Sequence, residues 1–262
     1  MLKSKIIKKN LIIIALIVLI NMTACESSDN THVYESRNNT VVLLYHGIVA
    51  TNEEIDAIPS GEYGTVTTAG KFEKDIADML SYGYKSISLN DLYENKNDIE
   101  NKYFAVTFDD GYLSNYEVAY PVLKKLNCYA DIFINTDNEY MEHHFSFEQA
   151  KEMEKSGLVT IHSHFTVHVD VREYSNEDFL KELNKSFDTL NEKLGKRKYR
   201  FFSYPYGFYD MEKYETAKNN GVALQFIQEP SDLNLNESDF IIRRSMAYKT
   251  DIARMLETVY MN

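Results

Sequence analysis

The chain reads as an α/β protein built on a largely parallel sheet with both faces covered, either open or closed as a barrel. Apolar runs of strand length alternate with amphipathic helical patterns across about 220 residues, as repeated strand–helix units require. Polar residues able to do chemistry stand where those runs end, and in such folds chemistry gathers at strand ends. No stretch of 40–262 has the composition of a linker or a repeat, so it reads as one domain.

In chain order, strands are expected at Val41–Tyr45, Tyr103–Phe108, Ala130–Ile134, Leu158–His162, Arg200–Tyr204, Val222–Ile227 and Phe240–Arg243. Between them, Phe72, Ile76, Met79 and Leu80 share one helical face ahead of Gly83. Val118, Val122 and Leu123 form a second pattern, in which Pro121 predicts a late start or a kink. Ser146 and Gln149 have capping-box spacing at the head of a third helix, which stops at Gly157. The fourth begins near Ser175 and sets Phe179, Leu183, Phe187, Leu190 and Leu194 at steps of four and three before Gly195.

Residues 1–24 read as an address. Lys3, Lys5, Lys8 and Lys9 precede an apolar run, Leu11 to Ile20, too short to span a bilayer comfortably and suited to a signal-peptide core. It ends in Met22-Thr23-Ala24-Cys25, which resembles a bacterial lipoprotein cleavage box with Met22 where Leu is usual. The competing readings are an ordinary signal peptide and an uncleaved anchor. On the lipoprotein reading Cys25 becomes an acylated N-terminus on the extracellular face of the membrane, held by the two chains that stable anchoring needs. Residues 25–39, rich in Ser, Asp, Asn and Thr, then form a tether. Cys128, the other cysteine, has no partner for an intramolecular disulfide and reads as a small buried hydrophobe.

The net charge of −12 becomes more negative still once the four leader lysines are gone. Such a surface disfavours nucleic acid and anionic lipid heads and tolerates a cationic polymer. There is no Trp, but 20 Tyr and 14 Phe leave aromatic surface for stacking on sugar rings.

Three motifs carry the chemistry. Thr107-Phe108-Asp109-Asp110-Gly111-Tyr112 ends an apolar strand with two carboxylates, costly at a buried mouth unless a cation compensates them. Adjacent strand residues point to opposite sides, so one can ligate a metal while the other acts as a base. Taken alone, an Asp-Asp-Gly turn closing a strand reads equally well. His162, His164 and His168 follow another strand, and imidazoles at this spacing suit zinc or a similar ion. Solvated loop histidines are the plainer reading of that segment alone, and His143-His144 reads as surface. Tyr204-Pro205-Tyr206-Gly207 is a rigid turn whose rings and N–H groups can line a pocket.

Together and in this order, the motifs resemble the polysaccharide deacetylases with the NodB-type domain, carbohydrate esterase family 4. The resemblance runs from about Val41 to the C-terminus and implies a distorted (β/α)7-type barrel of mostly parallel strands. It implies that Asp109 is the base, that Asp110, His164 and His168 bind the metal, and that the Tyr206 N–H helps hold the oxyanion. The departures point to a branch. Phe165 replaces a Ser or Thr, so that hydrogen bond is missing or comes from Thr166, and Ser203 replaces the Arg that orients the base. No Leu-x-His motif supplies the acid. Instead Leu43-Leu44-Tyr45-His46-Gly47 is similar to the poly-β-1,6-N-acetylglucosamine deacetylases of biofilm systems, where a Tyr-His strand end provides it. His46 is then the general acid, unless it only caps a strand. Arg243-Arg244 looks like that branch's Pro-Arg position, and Arg244 is expected to replace the missing Arg.

The activity so implied is N-deacetylation of an acetylated amino-sugar polymer by a monomeric chain. It would use Zn2+, or another divalent ion such as Co2+ or Ni2+, with Tyr45, Tyr112, Tyr204 and Pro205 lining the substrate site. Peptidoglycan N-acetylglucosamine and O-acetyl esters are alternative substrates of the same chemistry. A non-catalytic glycan-binding surface lipoprotein is the alternative of another class, disfavoured because both Asp and both spaced His are present.

Overall fold

The computed structural model describes residues 40–51, 65–95, 100–138, 141–228 and 241–261. The expected signal peptide, Cys25 and the tether lie outside the described residues. Among the described residues, no helix is long and apolar enough to cross a membrane.

Among the described residues ten strands form: β1 (Thr40–Tyr45), β2 (Ile48–Val49), β3 (Thr67–Thr68), β4 (Lys85–Ser86) and β5 (Tyr103–Phe108) in the first half of the chain. They are followed by β6 (Ala130–Ile134), β7 (Val159–Ser163), β8 (Phe201–Ser203), β9 (Leu224–Gln228) and β10 (Ile241–Met246). The order β1-β10-β9-β8-β7-β6-β5, with β5 pairing back onto β1, closes a seven-stranded parallel barrel. Closure leaves no edge in this ring. β4 adds a short pairing at the foot of β5, and β2 and β3 pair separately. Each expected strand is present, Tyr103–Phe108 and Ala130–Ile134 with the expected bounds and the others with an end moved by a residue or a few. The two-residue strands carry too little pattern to be read from sequence.

The pleat divides the side chains between two cores. Val41, Leu43 and Tyr45 of β1, with Phe104, Val106 and Phe108 of β5, face outward onto the helices. Val42 and Ala105 face into the barrel beside Phe133, Phe201 and Phe226. Both sets are buried, which is why the strands read as unbroken apolar runs.

The helices are α1 (Ala69–Ser81), α2 (Leu89–Glu94), α3 (Tyr120–Leu126), α4 (Phe147–Lys155), α5 (Asn176–Leu194), α6 (Met211–Asn219) and α7 (Ile252–Met261). In α1, Phe72, Ile76 and Met79 are buried, whereas Leu80, expected on the same face, is exposed at its margin. Pro121 lies in the first turn of α3, behind a π-helical turn over Asn115–Ala119, and there its missing N–H costs little. Both halves of the Ser146–Gln149 capping box form. Ser175 caps α5, which ends at Gly195 and buries Phe179, Leu183, Phe187 and Leu190. Unexpected from sequence were α2, α6 and α7; α6 is polar along most of its length and buries only Lys213, Tyr214 and Ala217.

His162 parts company with the other two motif histidines. It lies within β7, inside the barrel, where Nε2 donates to Asp131 Oδ1 at 2.7 Å. The other Asp131 oxygen accepts the Leu89 N–H at 2.9 Å and ties the start of α2 beneath the barrel. Asp131→Ala is therefore expected to destabilise by roughly 1–3 kcal/mol for each donor stranded. Urea unfolding measures the loss, and metal affinity of the folded variant should match wild type.

Candidate active site

The site lies over the C-terminal ends of the strands. Asp109 follows β5 and is fully buried. Arg244 reaches it from β10, donating Nη1 to Oδ1 at 2.7 Å and Nη2 to Oδ2 at 2.6 Å. Two parallel charge-assisted bonds fix the orientation of both planes. Ser203, standing where the resemblance expected an arginine, donates to Asp109 Oδ2 at 3.0 Å and accepts from Arg244 Nη2 at 2.7 Å. The guanidinium lies 5.4 Å from the Phe133 ring centre and 5.9 Å from that of Phe226, so aromatic rings replace part of its lost water. Burial alone would raise the Asp109 pKa, but the Arg244 and His164 charges outweigh it and hold the carboxyl below its ordinary value. Of the Arg243-Arg244 pair, Arg244 makes this contact.

Asp110, one residue on, leaves strand geometry with φ 72°, and Gly111 continues the turn at φ 78°. A Cβ on Gly111 would meet Ile134 Cγ2 at 2.8 Å, so the reversal needs glycine. Asp110 thereby swings over the barrel mouth. Its Oδ1 is 3.3 Å from His164 Nε2 and 3.5 Å from His168 Nε2, and the three ligand atoms all lie within 4.8 Å of one another. Two ligands about 2.1 Å from one ion at tetrahedral angles stand about 3.4 Å apart, so the spacing fits a shared cation. The Nδ1 of His164 donates to the Ser203 carbonyl at 2.8 Å, turning Nε2 toward Asp110. Both Asp110 Oδ1 and His164 Nε2 are buried without a hydrogen-bond partner, as atoms awaiting a metal bond would be. Burial, then the neighbouring His164, push His168 down to about 4, which keeps it neutral and able to ligate at neutral pH. The donor set fits a divalent ion and leaves coordination positions open.

The loop around these ligands was only partly legible in the sequence. Phe165 takes φ 76° and is buried against Phe179, ring centres 5.7 Å apart. Thr166, the alternative hydroxyl, turns away and donates to Glu182 at 3.0 Å. The His164 backbone is held instead by Asn135, whose Nδ2 donates to the His164 carbonyl at 2.5 Å. Asn135 escaped the sequence reading because a lone Asn after a strand carries no motif.

His46 follows β1 and is buried, its ring edge-on to Tyr248 at 5.8 Å. Its carbonyl accepts from Asn115 Nδ2 at 2.7 Å, and its Nδ1 has no partner. Burial lowers its pKa, while the fields of Asp110 and Asp109 act in the opposite sense. In the Tyr204-Pro205-Tyr206-Gly207 turn, Gly207 N–H donates to Tyr204 and Phe208 N–H to Pro205. The Tyr206 N–H has no acceptor among the described residues, and the Tyr206 ring stands edge-on to His168 at 4.2 Å. Tyr112 stacks on His144 at 5.3 Å beside the Asp110 turn.

Three residues expected to line the substrate site lie in the core instead. Tyr45 is fully buried and donates its hydroxyl to Asp75 at 3.0 Å, between Phe72 and Phe108. Tyr204 is equally buried, with its hydroxyl on Gln225. Each shares the outward pleat of the apolar residue two before it, Leu43 or Phe202, so its ring faces the helices rather than the mouth. Pro205 is buried as well and shapes the turn without offering a surface to substrate.

Residues 96–224 match the family model for polysaccharide deacetylases. A Bacillus subtilis (strain 168) protein assigned as a polysaccharide deacetylase, YxkH, is 28% identical over 207 residues, covering 78% of this chain and 69% of that one. The poly-β-1,6-N-acetyl-D-glucosamine N-deacetylase of Staphylococcus aureus (strain MSSA476) is 29% identical over 189 residues, covering 66% of this chain. The match spans 65% of that relative's own length. Among solved structures, the Streptococcus pyogenes deacetylase PplD in complex with acetate superposes with a TM-score of 0.69 at 23% identity, covering 78% of this chain and 90% of that one. IcaB from Ammonifex degensii does so at 0.67 and 23%, covering 84% and 96%. These two share the fold.

The buried ion pair and the ligand triangle each generate a test. Arg244→Met should cost roughly 3–5 kcal/mol, because it strands a buried carboxylate. The depressed Asp109 pKa contributes stability above the ordinary carboxylate range that is lost as pH falls through the folded value. Acidification should therefore narrow the gap between wild type and Arg244→Met in urea unfolding. Asp110→Ala should remove one of three ligands and abolish stoichiometric retention of a divalent ion, read by elemental analysis after dialysis. Full retention would overturn the ligand assignment.

Proposed function

We propose that this chain, a member of the polysaccharide deacetylase family, removes acetyl groups from N-acetylglucosamine residues of an extracellular polymer, poly-β-1,6-N-acetylglucosamine, with the help of a divalent ion. The observation that carries this reading is the open Asp110–His164–His168 triangle beside an Asp109 kept ionised by Arg244. The choice of polymer is supported by the staphylococcal relative's activity and by His46 at the end of the first strand.

Asp110, His164 and His168 would hold the ion, Zn2+ or alternatively Co2+ or Ni2+. Bound there, it would supply Lewis-acid polarisation of the acetamide carbonyl and lower the pKa of a water. Asp109 accepts the proton of the attacking water, its carboxylate aimed by Arg244 and Ser203. The Tyr206 N–H donates to the carbonyl oxygen as negative charge develops there. His46 delivers a proton to the glucosamine nitrogen as the C–N bond breaks, and acetate and a free amine leave. Its lowered pKa makes it a stronger acid once protonated, at the cost of a smaller protonated fraction. The acidic surface accommodates the cationic product. Attachment through an acylated Cys25 to the outer face of the membrane, as a monomer, completes the proposal; its support is the apolar run ending at Thr23-Ala24-Cys25.

Acetate release from poly-β-1,6-N-acetylglucosamine, peptidoglycan and O-acetylated glycans tests the reading. Release from the first at a far higher kcat/KM is expected, and release only from another would replace the substrate. His46→Ala should keep its metal but lose about 10²–10⁴ in kcat on the amide. Activated aryl acetates, whose leaving groups need little protonation, should lose much less. An unchanged amide-to-ester ratio would move the acid elsewhere.

A further inference from the structure

Among the described residues, five large apolar side chains stand exposed, and three of them, Tyr206, Phe208 and Met211, fall within six residues of chain. They are 49%, 44% and 50% exposed. Scattered single exposures are ordinary, but a cluster beside a ligand triangle marks a surface kept for something else. The Tyr206 ring touches His168 edge-on at 4.2 Å, and the Phe208 ring lies 5.7 Å beyond it, tilted by 32°. Arg172 lies over the Phe208 ring, its guanidinium carbon 4.3 Å from the centre. The guanidinium is itself locked on Asp170, with Nε at 2.9 Å and Nη2 at 2.7 Å. Phe208 thus has a cation against its ring while nearly half the residue stays open to solvent. A ring so supported keeps its orientation, which stacking on a flat ligand requires.

We infer that Phe208, with Tyr206, forms a stacking shelf for the apolar face of the pyranose ring next to the sugar being deacetylated. This makes the enzyme one that prefers oligomers to a single residue, and it rests on the deacetylase reading of the same site. The occupant follows from placement and chemistry. The shelf adjoins the reacting centre through His168, so what lies on it must be continuous with the substrate. Aromatic faces flanked by an arginine suit a ring with CH groups on its face and hydroxyls at its rim. A lipid surface is the competing occupant.

The test compares wild type, Phe208→Ala, Phe208→Tyr and Phe208→Leu, all Zn2+-loaded full chains, on β-1,6-linked N-acetylglucosamine oligomers of one to five units. Phe208→Ala should lose roughly threefold to tenfold in kcat/KM on the pentamer, the scale of one stacking contact. The loss should lie mainly in KM, with hydrolysis of a small aryl acetate unchanged. Phe208→Tyr should restore the pentamer rate and Phe208→Leu should not, since an aromatic face rather than apolar area is required. Equal pentamer kinetics in wild type and Phe208→Ala would overturn the shelf. So would unchanged oligomer kinetics accompanied by lost binding to phosphatidylglycerol vesicles, which would give the patch to a lipid surface. Should wild type release no acetate from any glycan, the deacetylase reading fails separately. Pentamer affinity then decides the shelf by itself, a weaker Kd in Phe208→Ala sustaining it and an equal Kd overturning it.

Discussion

A buried carboxylate and a buried guanidinium, Asp109 and Arg244, hold the rest of this site in place. Neither could lie inside the barrel alone, since an unpaired charge there is strongly destabilising. Paired, they link β5 to β10 across the barrel interior, although the two strands lie far apart in sequence and each pairs with β1. Ser203 joins the pair from β8 through both partners. The same serine's carbonyl fixes the ring of His164. One ion pair thus aligns Asp109, the turn that carries the free Tyr206 amide, and a histidine of the Asp110–His164–His168 triangle. The C-terminal strand completes a site whose first residues lie at the start of the domain.

The two Asp of the strand end are separated by backbone geometry. Asp109 keeps the inward pleat and meets Arg244, while Asp110, at positive φ, turns over the mouth to meet the histidines. A comparable division runs along β7. His162 faces the lower interior and donates a hydrogen bond to Asp131; His164, two residues on, has the same inward parity but stands at the mouth, where its Nε2 is left free. One histidine–carboxylate contact closes on itself in the barrel interior and the other leaves its ring nitrogen open at the mouth, and depth in the barrel decides which.

Around the mouth the surface changes character. Most large apolar side chains are packed away, yet Tyr206 stands exposed against His168 with Phe208 exposed beside it. Tyr112, stacked on His144 after β5, lies toward the far side of the strand order. An acidic chain with aromatic rings at its mouth is compatible with the proposed glycan substrate, which would gain positive charge with each acetyl group lost.

The sequence by itself determined the strand–helix alternation, the caps of α4 and α5, and the residues of the ligand triangle, because each is written locally. Buried strands need unbroken apolar runs, and caps and turns need particular residues at fixed spacings. The tertiary structure shows the closure that the family resemblance, but not the strand pattern, implied, since closure depends on β1 pairing with both β5 and β10. It also decided that Arg244 and Ser203 together orient Asp109, that Asn135 holds His164, and that His162 belongs to the foot of the barrel. Tyr45 and Tyr204 show the reason most plainly. A tyrosine at a strand end looks like a ligand contact in one dimension. Which way it points is set by the strand's parity against the closed barrel, and here that parity turns both rings into the core.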